Sequence, residues 1–483
     1  MEASADATAA RAAKDSGRRG TGGASAGGAG ASAGPGTAAG AESRPGLTDV
    51  LAIGFATTVA MWGIGYVSRM PPVWVPSSLL VVLLLGCMAA GGFYAGRTTG
   101  RGWRAGVYTG FVSSLLNLLI LGSLLSGSAP GHLVPSALWW VPGSFLLAMA
   151  LGGAGAALGA ARASSASLEG RLAARPDWTS LFAGVAVAAT FLLLIVGGLV
   201  TSHGAGLAVV DWPNSFGYNM FLYPLSRMSG GVYYEHAHRL FGSLVGLTTL
   251  VLTIHLLRAD RRAWLKRFAI AALFTVLLQG LIGGLRVTGR FTMSQSPADT
   301  APSLGLAVVH GVLGQIFFSM IVALAVFTSP TWKSEGRRVL HTASASTDRG
   351  LSAALVVMLL VQLVLGAVQR HLSQGLLIHI TMASLVFLLA LFLGVRAWAM
   401  HAAQPLLRRI GKSMVLIVCA QVLLGIGALV GKGIAERDGA NEAFPVVIRT
   451  AHQAGGALLL ATAILLALWT RRLLSEREGG RAA

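Results

Sequence analysis

HRLFGSLVGLTTLVLTIHLL, residues 238–257, opens on a histidine and an arginine and then runs to its end without another Asp, Glu, Lys or Arg. Twenty residues at a rise of about 1.5 Å each cover about 30 Å, the hydrocarbon thickness of a bilayer. In lipid the backbone N–H and C=O groups have to be satisfied within the segment, so a run of this kind is a helix. Eleven further stretches read the same way, near 48–67, 72–93, 105–127, 138–161, 179–200, 268–285, 305–328, 351–369, 375–397, 411–431 and 446–470. Across 483 residues the chain is 54% hydrophobic and 11% charged, with a mean hydropathy of +0.68, far from the balance of a soluble domain. The predicted fold class is all-α: a polytopic membrane protein with about 12 transmembrane helices.

The net charge of +19 raises the question of nucleic acid, but Lys and Arg are scattered through short loops and not gathered on one face. Membrane topology accounts for them. With the N-terminus inside, 28 of the 37 fall in inner segments, and only Arg69, Arg227, Arg239, Arg286, Arg290, Arg370, Lys432, Arg437 and Arg449 fall at the outer side. Both termini are then cytoplasmic, in a bacterial inner membrane; Glu2, Asp6, Asp15 and Glu42 speak against an organelle transit peptide and the mitochondrial inner membrane. Residues 1–45 are rich in Ala, Gly and Ser and read as a disordered low-complexity tail. Cys87 and Cys419 lie in separate spans, which excludes a structural disulfide and a CxxCH haem attachment.

The stretch at 238–247 recurs. HRLFGSLVGL aligns with HITMASLVFL (379–388) at an offset of 141, QGLIGGLRVTG (279–289) with QVLLGIGALVG (421–431) at 142, and HGVLGQ (310–315) with HQAGGA (452–457) at 142. LIVGGLV (194–200) pairs more weakly with LVLGAVQ (363–369), shifted because the first copy has the longer loop. Such a constant offset marks an internal duplication. The last eight spans form two pseudo-symmetric four-helix bundles, 178–328 and 350–472, preceded by an accessory four-span block, 46–162, and followed by an inner tail, 473–483.

Each half carries one histidine on its second span and one on its fourth: His238 with His310, and His379 with His452. All four are expected in the first turns of their helices, paired at one depth near the outer surface. Two inward imidazoles on different helices of a bundle form a bis-axial site for haem iron; zinc or copper would need further ligands close by. The bland reading is four hydrogen-bonded interfacial histidines. His132, His203, His255, His341, His371 and His401 have no repeat partner and are expected to be solvated; His236 is expected to point away from the site.

Glu235 shares a helix face with His238, and Arg239 lies one step round; the corresponding place in the second half holds Leu376. One added carboxylate on a duplicated scaffold suggests that one site holds a permanent cofactor and the other performs chemistry. The simpler alternative is a helix-start glutamate paired to Arg239. Haem carboxylates at the outer face would need cations: Arg239 and Arg286 for the first pair, and Arg370, Lys432 and Arg449 for the second, with ordinary interfacial snorkelling as the alternative for each.

These residues resemble the haem A synthase family over about 178–472. The resemblance rests on the ExxHR at 235–239, SHGAGLAVVDWPNSFG (202–217), QGLIGGLRVT (279–288), VVHGVLGQ (308–315) and AHQAGGALLL (451–460). It implies oxidation of the C8 methyl of haem O to a formyl group, with oxygen from water, giving haem A for cytochrome oxidase. It also implies non-covalent haem b on His379 and His452, substrate haem O on His238 and His310, and a role in proton transfer or positioning for Glu235. Haem O synthase and the cytochrome oxidase assembly machinery are the implied partners, with membrane lipid around the chain and no nucleic acid; a homo-oligomer is left open. Two departures stand out. The cysteine pair that one class of the family carries in its first outer loop is missing from 201–235, and the block at 46–162 is additional, with Gly-rich faces such as AAGGFYAG and LGGAGAALGAA suited to close packing and no other polar constellation. A di-haem b-type electron carrier and a haem chaperone or transporter are the competing readings.

Overall fold

The computed structural model describes residues 47–71, 73–127, 129–163, 176–288, 304–334, 339–438 and 443–476, with backbone alone for 434–438. The expected tail at 1–45, Arg290 and the side chain of Arg437 lie outside these residues. Twelve long apolar helices make the chain an all-α multi-pass membrane protein. They are α1 Thr48–Arg69, α2 Ser77–Thr99, α3 Trp103–Leu124, α4 Ala137–Ala163, α5 Trp178–Ser202, α6 Gly230–Ala259, α7 Ala263–Val287, α8 Leu304–Thr328, α9 Ala345–Leu372, α10 Leu376–Ala399, α11 Pro405–Asp438 and α12 Ala443–Leu473. Among the described residues the β-strands form two small pairs, antiparallel β1 Asn214–Ser215 with β2 Tyr218–Asn219 and parallel β3 Leu340–His341 with β4 Leu474–Ser475, beside one isolated bridge between Ser126 and Leu133.

Several helices outrun their apolar stretches. α6 starts at Gly230, seven residues before the apolar run near 237, so Glu235 and His238 sit in its second and third turns. His310 is the seventh residue of α8 and His452 the tenth of α12; of the four, only His379, the fourth residue of α10, is in a first turn. A helix does not stop where hydrophobicity stops, because the polar residues beyond it still satisfy their backbone groups helically.

Each half has its own core. Leu240, Leu244, Leu252 and Leu256 of α6 pack with Phe182 of α5 and Ile321 of α8 in the first; Leu355 of α9, Leu393 of α10, Met414 of α11 and Leu466 of α12 pack in the second. A smaller cluster joins them: Phe318 and Val322 of α8 against Ala457 and Ala461 of α12, with Phe191 of α5 alongside. Lipid is as apolar as leucine, so close packing and not the hydrophobic effect selects these contacts. The Gly-rich faces show it most plainly. Methyl groups added at Gly92 and Gly96 of α2, or at Gly106 and Gly110 of α3, would overlap carbonyl oxygens of Gly152, Ala156 and Ala148 on α4. α1 is different: its Phe55, Val59, Trp62 and Tyr66 belong to the same core as α5 and α6. Polar contacts are present here too, contrary to the sequence reading. Trp62 Nε1 donates to Asn117 Oδ1 at 2.9 Å, and the Thr58 and Ser113 hydroxyls meet at 2.9 Å.

Candidate functional site

α6 and α8 bring His238 and His310 face to edge, with ring centres 6.2 Å apart and planes at 83°. α10 and α12 do the same for His379 and His452, at 6.5 Å and 80°. An iron atom bound by both rings at about 2 Å, with each ring nitrogen about 1.1 Å from its ring centre, would set the centres about 6.2 Å apart. Each imidazole lies against a glycine of the preceding helix. A Cβ on Gly197, Gly283, Gly366 or Gly425 would fall 2.9, 3.2, 3.1 and 3.1 Å from Cε1 of His238, His310, His379 and His452 respectively. His238, His310 and His452 are half-buried, yet their Nδ1 atoms are fully buried without a hydrogen-bond partner. An unmet polar atom costs about 1–3 kcal/mol. A metal bond at the other ring nitrogen offsets such a cost. Among the described residues no three His, Cys, Asp or Glu side chains gather as a metal cluster. A two-ligand site suits an ion whose other positions are filled by a porphyrin.

Glutamines support the rings. Gln279 and Gln421 donate to the backbone oxygens of His310 (3.0 Å) and His452 (2.9 Å), and Gln362 donates to that of His379 (3.1 Å). The glutamine repeated at the head of the 279 and 421 segments is the mark of this support in the sequence. Gln362 has Leu193 at the corresponding place in the first half, so His238 lacks this support.

The first pair differs most at the end where α5 joins α6. α9 and α10 are joined by Ser373–Gly375 alone, whereas residues 203–229 lie between α5 and α6. This long loop is pinned. Asp211 accepts from the backbone N–H of Phe216 (2.7 Å) and Gly217 (2.8 Å), which holds both residues at positive φ in the β1–β2 turn. The Trp212 indole lies on Gly284 of α7, where a methyl group would overlap it. Arg239 donates to the carbonyls of Asp211 (2.7 Å), Asn214 (2.9 Å) and Val209 (2.8 Å), and to Glu235 at 3.3 Å. That occupies four of the five N–H groups of a guanidinium. Arg239 is therefore engaged with the loop and not available as a carboxylate clamp, and Glu235, buried at 5% exposure, has the ion pair that the simpler alternative expected.

Of the other expected cations, Arg286 lies against Gly206 with its Nε buried and unpartnered, and it remains the candidate anion partner beside the first pair. Arg370 donates to Gly198 O (3.0 Å), Ser202 Oγ (2.8 Å) and Arg449 O (3.4 Å), so it ties the two halves together. Lys432 and Arg449 are half-buried on α11 and α12.

Several histidines expected to be solvated are not. His255 bridges Thr48 (3.4 Å) and Thr179 (2.8 Å). His401 is buried at 3% exposure against Asp348 (3.0 Å), which also pairs with Arg396. His371 lies beside Gly311, and His203 stacks on Tyr234 at 4.0 Å. His341 and His132 are exposed, as expected, His341 meeting Ser475 Oγ at 2.7 Å. His236 does point away from the pair, into the loop: it is fully buried, 3.1 Å from Ser215 Oγ, with its ring on Tyr223. A groove of about 680 Å³ between α1 and α5 is lined by apolar side chains such as Val59, Ile64 and Leu192, carries no titratable group, and is separate from both histidine pairs.

Residues 180–379 match the model of a family described as cytochrome oxidase assembly protein (COX15-CtaA), the family the motifs resemble. The match covers α5 to α9 and reaches His379 in α10. No individual curated protein matches the chain.

Proposed function

We propose that this chain serves cytochrome oxidase assembly as a haem A synthase-type oxidoreductase, taking haem O on His238 and His310 and keeping haem b on His379 and His452. One observation carries the reading: two imidazole pairs share one geometry, and among the described residues only the first has a carboxylate beside it, Glu235, and a pinned loop above it. Converting a methyl group to a formyl group with oxygen from water releases four electrons and four protons. His238 and His310 would fix the substrate by its iron, which leaves the porphyrin edge to be oriented by the surrounding helices. Arg286 would meet a substrate carboxylate, since its guanidinium has unspent donors beside this pair. Glu235 lies one turn from His238 and would accept protons as the methyl carbon loses hydrogen, with Arg239 holding the carboxylate in place. Haem b, when bound non-covalently in the second half, would supply an electron-accepting centre. Haem O synthase is the expected source of substrate, and the bacterial cytoplasmic membrane, with both termini cytoplasmic, is the expected location.

The test is co-expression with haem O synthase in cells lacking haem A, followed by chromatography of extracted haems. Haem A should accumulate with the wild-type chain and fall sharply with Glu235→Gln, while bound haem O persists in the variant. Recovery of haem O alone from the wild type would reject the oxidoreductase reading in favour of a di-haem carrier or a haem chaperone.

A further inference from the structure

We propose that the N-terminal block α1–α4 is a brace that sets where α6 and the outer loop hold Glu235 and His238, with Trp62, Tyr66 and Asn117 as its positioning residues. The inference rests on the assignment of the first pair as the substrate site. α1 grips α6 on either side of the functional residues. Tyr233 Oη donates to the backbone oxygen of Tyr66 while the two rings stack at 5.4 Å, and Phe241 meets Tyr66 at 5.7 Å and Trp62 at 5.5 Å. Residues 233 and 241 are about two turns apart and bracket 235 and 238.

Trp62 is itself fixed by α3, through the bond from its Nε1 to Asn117; Asn117 Nδ2 in turn lies 3.6 Å from Met61 Sδ. The outer end of α3 then reaches the loop. Ser123 Oγ donates to Phe221 O at 3.3 Å, and Gly122 has no room for a side chain, because a Cβ would overlap Phe221 O and lie 2.8 Å from Leu222. Tyr223, two residues on from Phe221, carries the ring of His236, so the contact returns to α6. Among the described residues, the core around the second pair contains no residue of α1–α4.

Such a brace has a physical purpose. In lipid no hydrophobic force fixes the rotation of a helix, so its angle is set by packing and hydrogen bonds alone. A 10° turn of α6 moves a group about 6 Å from its axis by about 1 Å. A displacement of that size is enough to cost about 100-fold in rate.

The test uses the purified full-length chain loaded with haem at both pairs, in wild type, Trp62→Phe, Asn117→Leu and Gly122→Leu. Electron paramagnetic resonance reads each haem, and turnover with haem O gives kcat and KM. The second-pair signal should stay at its wild-type position, which controls for folding, while the first-pair signal shifts and kcat falls about tenfold or more with KM changed less than about threefold. Should Gly122→Leu fail to fold, the two milder variants decide. Wild-type kcat and first-pair signal in all folded variants, or parallel change at both pairs, would overturn the brace. A wild-type chain that loads haem at neither pair would instead overturn the substrate-site assignment, and the brace with it.

Discussion

Replacing Gly197 with alanine should weaken haem binding at the first pair without weakening the fold. The new Cβ would lie 2.9 Å from Cε1 of His238. Carbon–carbon contacts settle at about 3.5–4.0 Å, so the ring has to retreat by about 0.6 Å or more. In the haem-free chain that retreat is cheap, because the imidazole is the free end of two side-chain torsions. With iron bound, a metal–nitrogen bond of about 2 Å fixes the far edge of the ring, and the retreat becomes a tilt out of its rotamer. Off-rotamer strain of about 0.5–1.5 kcal/mol, with overpacking of about 1 kcal/mol, comes to about 2 kcal/mol, or about 30-fold in affinity. At Gly425 the clearance to His452 is 3.1 Å, and about 1 kcal/mol, or about fivefold, is expected at the second pair. The haem-free protein should melt at the wild-type temperature or higher, since alanine favours a helix over glycine by up to about 1 kcal/mol. Absorbance titration of haem-free protein in detergent, beside its thermal denaturation, measures both quantities. Wild-type affinity in Gly197→Ala together with a less stable fold would refute the reasoning, because the glycine would then serve helix packing and not the ring.

Other consequences follow from the same geometry. His379→Ala or His452→Ala should remove the low-spin b-type spectrum of the second pair and leave that of the first; an intact second signal would place the iron elsewhere. Arg239→Lys replaces four hydrogen bonds with at most three from a differently shaped head, so the loop at 203–229 should loosen and limited proteolysis within it should accelerate; an unchanged cleavage rate would contradict the pinning. Asp348→Asn leaves Arg396 and His401 without their shared carboxylate and should destabilise the second half by about 3 kcal/mol on thermal unfolding. A melting temperature equal to the wild type would show that the cluster contributes nothing.

How much of this could be read in advance depends on the range of each interaction. The duplication placed Gly197, Gly283, Gly366 and Gly425 in aligned segments, yet only the packed helices revealed that each glycine makes room for an imidazole. The ExxHR spacing put Glu235 on the face of His238, but it could not show that Arg239 turns to three carbonyls of a loop some 25 to 30 residues earlier. His401 looked like any loop histidine because its partner, Asp348, is 53 residues away at the far end of another helix. The role of α1 was invisible for the same reason: Trp62, Tyr66 and Phe241 carry no pattern that pairs them.

The sequence by itself determined that this chain crosses the membrane about twelve times, that its last eight spans are a duplicated unit, and which four histidines pair. Those properties follow from the length of apolar runs and from a constant offset, both of which are local or periodic. The tertiary structure alone decided the spacing of the rings, the pinning of the 203–229 loop above one pair, and the insertion of α1 into the first core. Each of these is a contact between segments distant in the chain, selected by close fit in a solvent that gives helices no other reason to choose their neighbours.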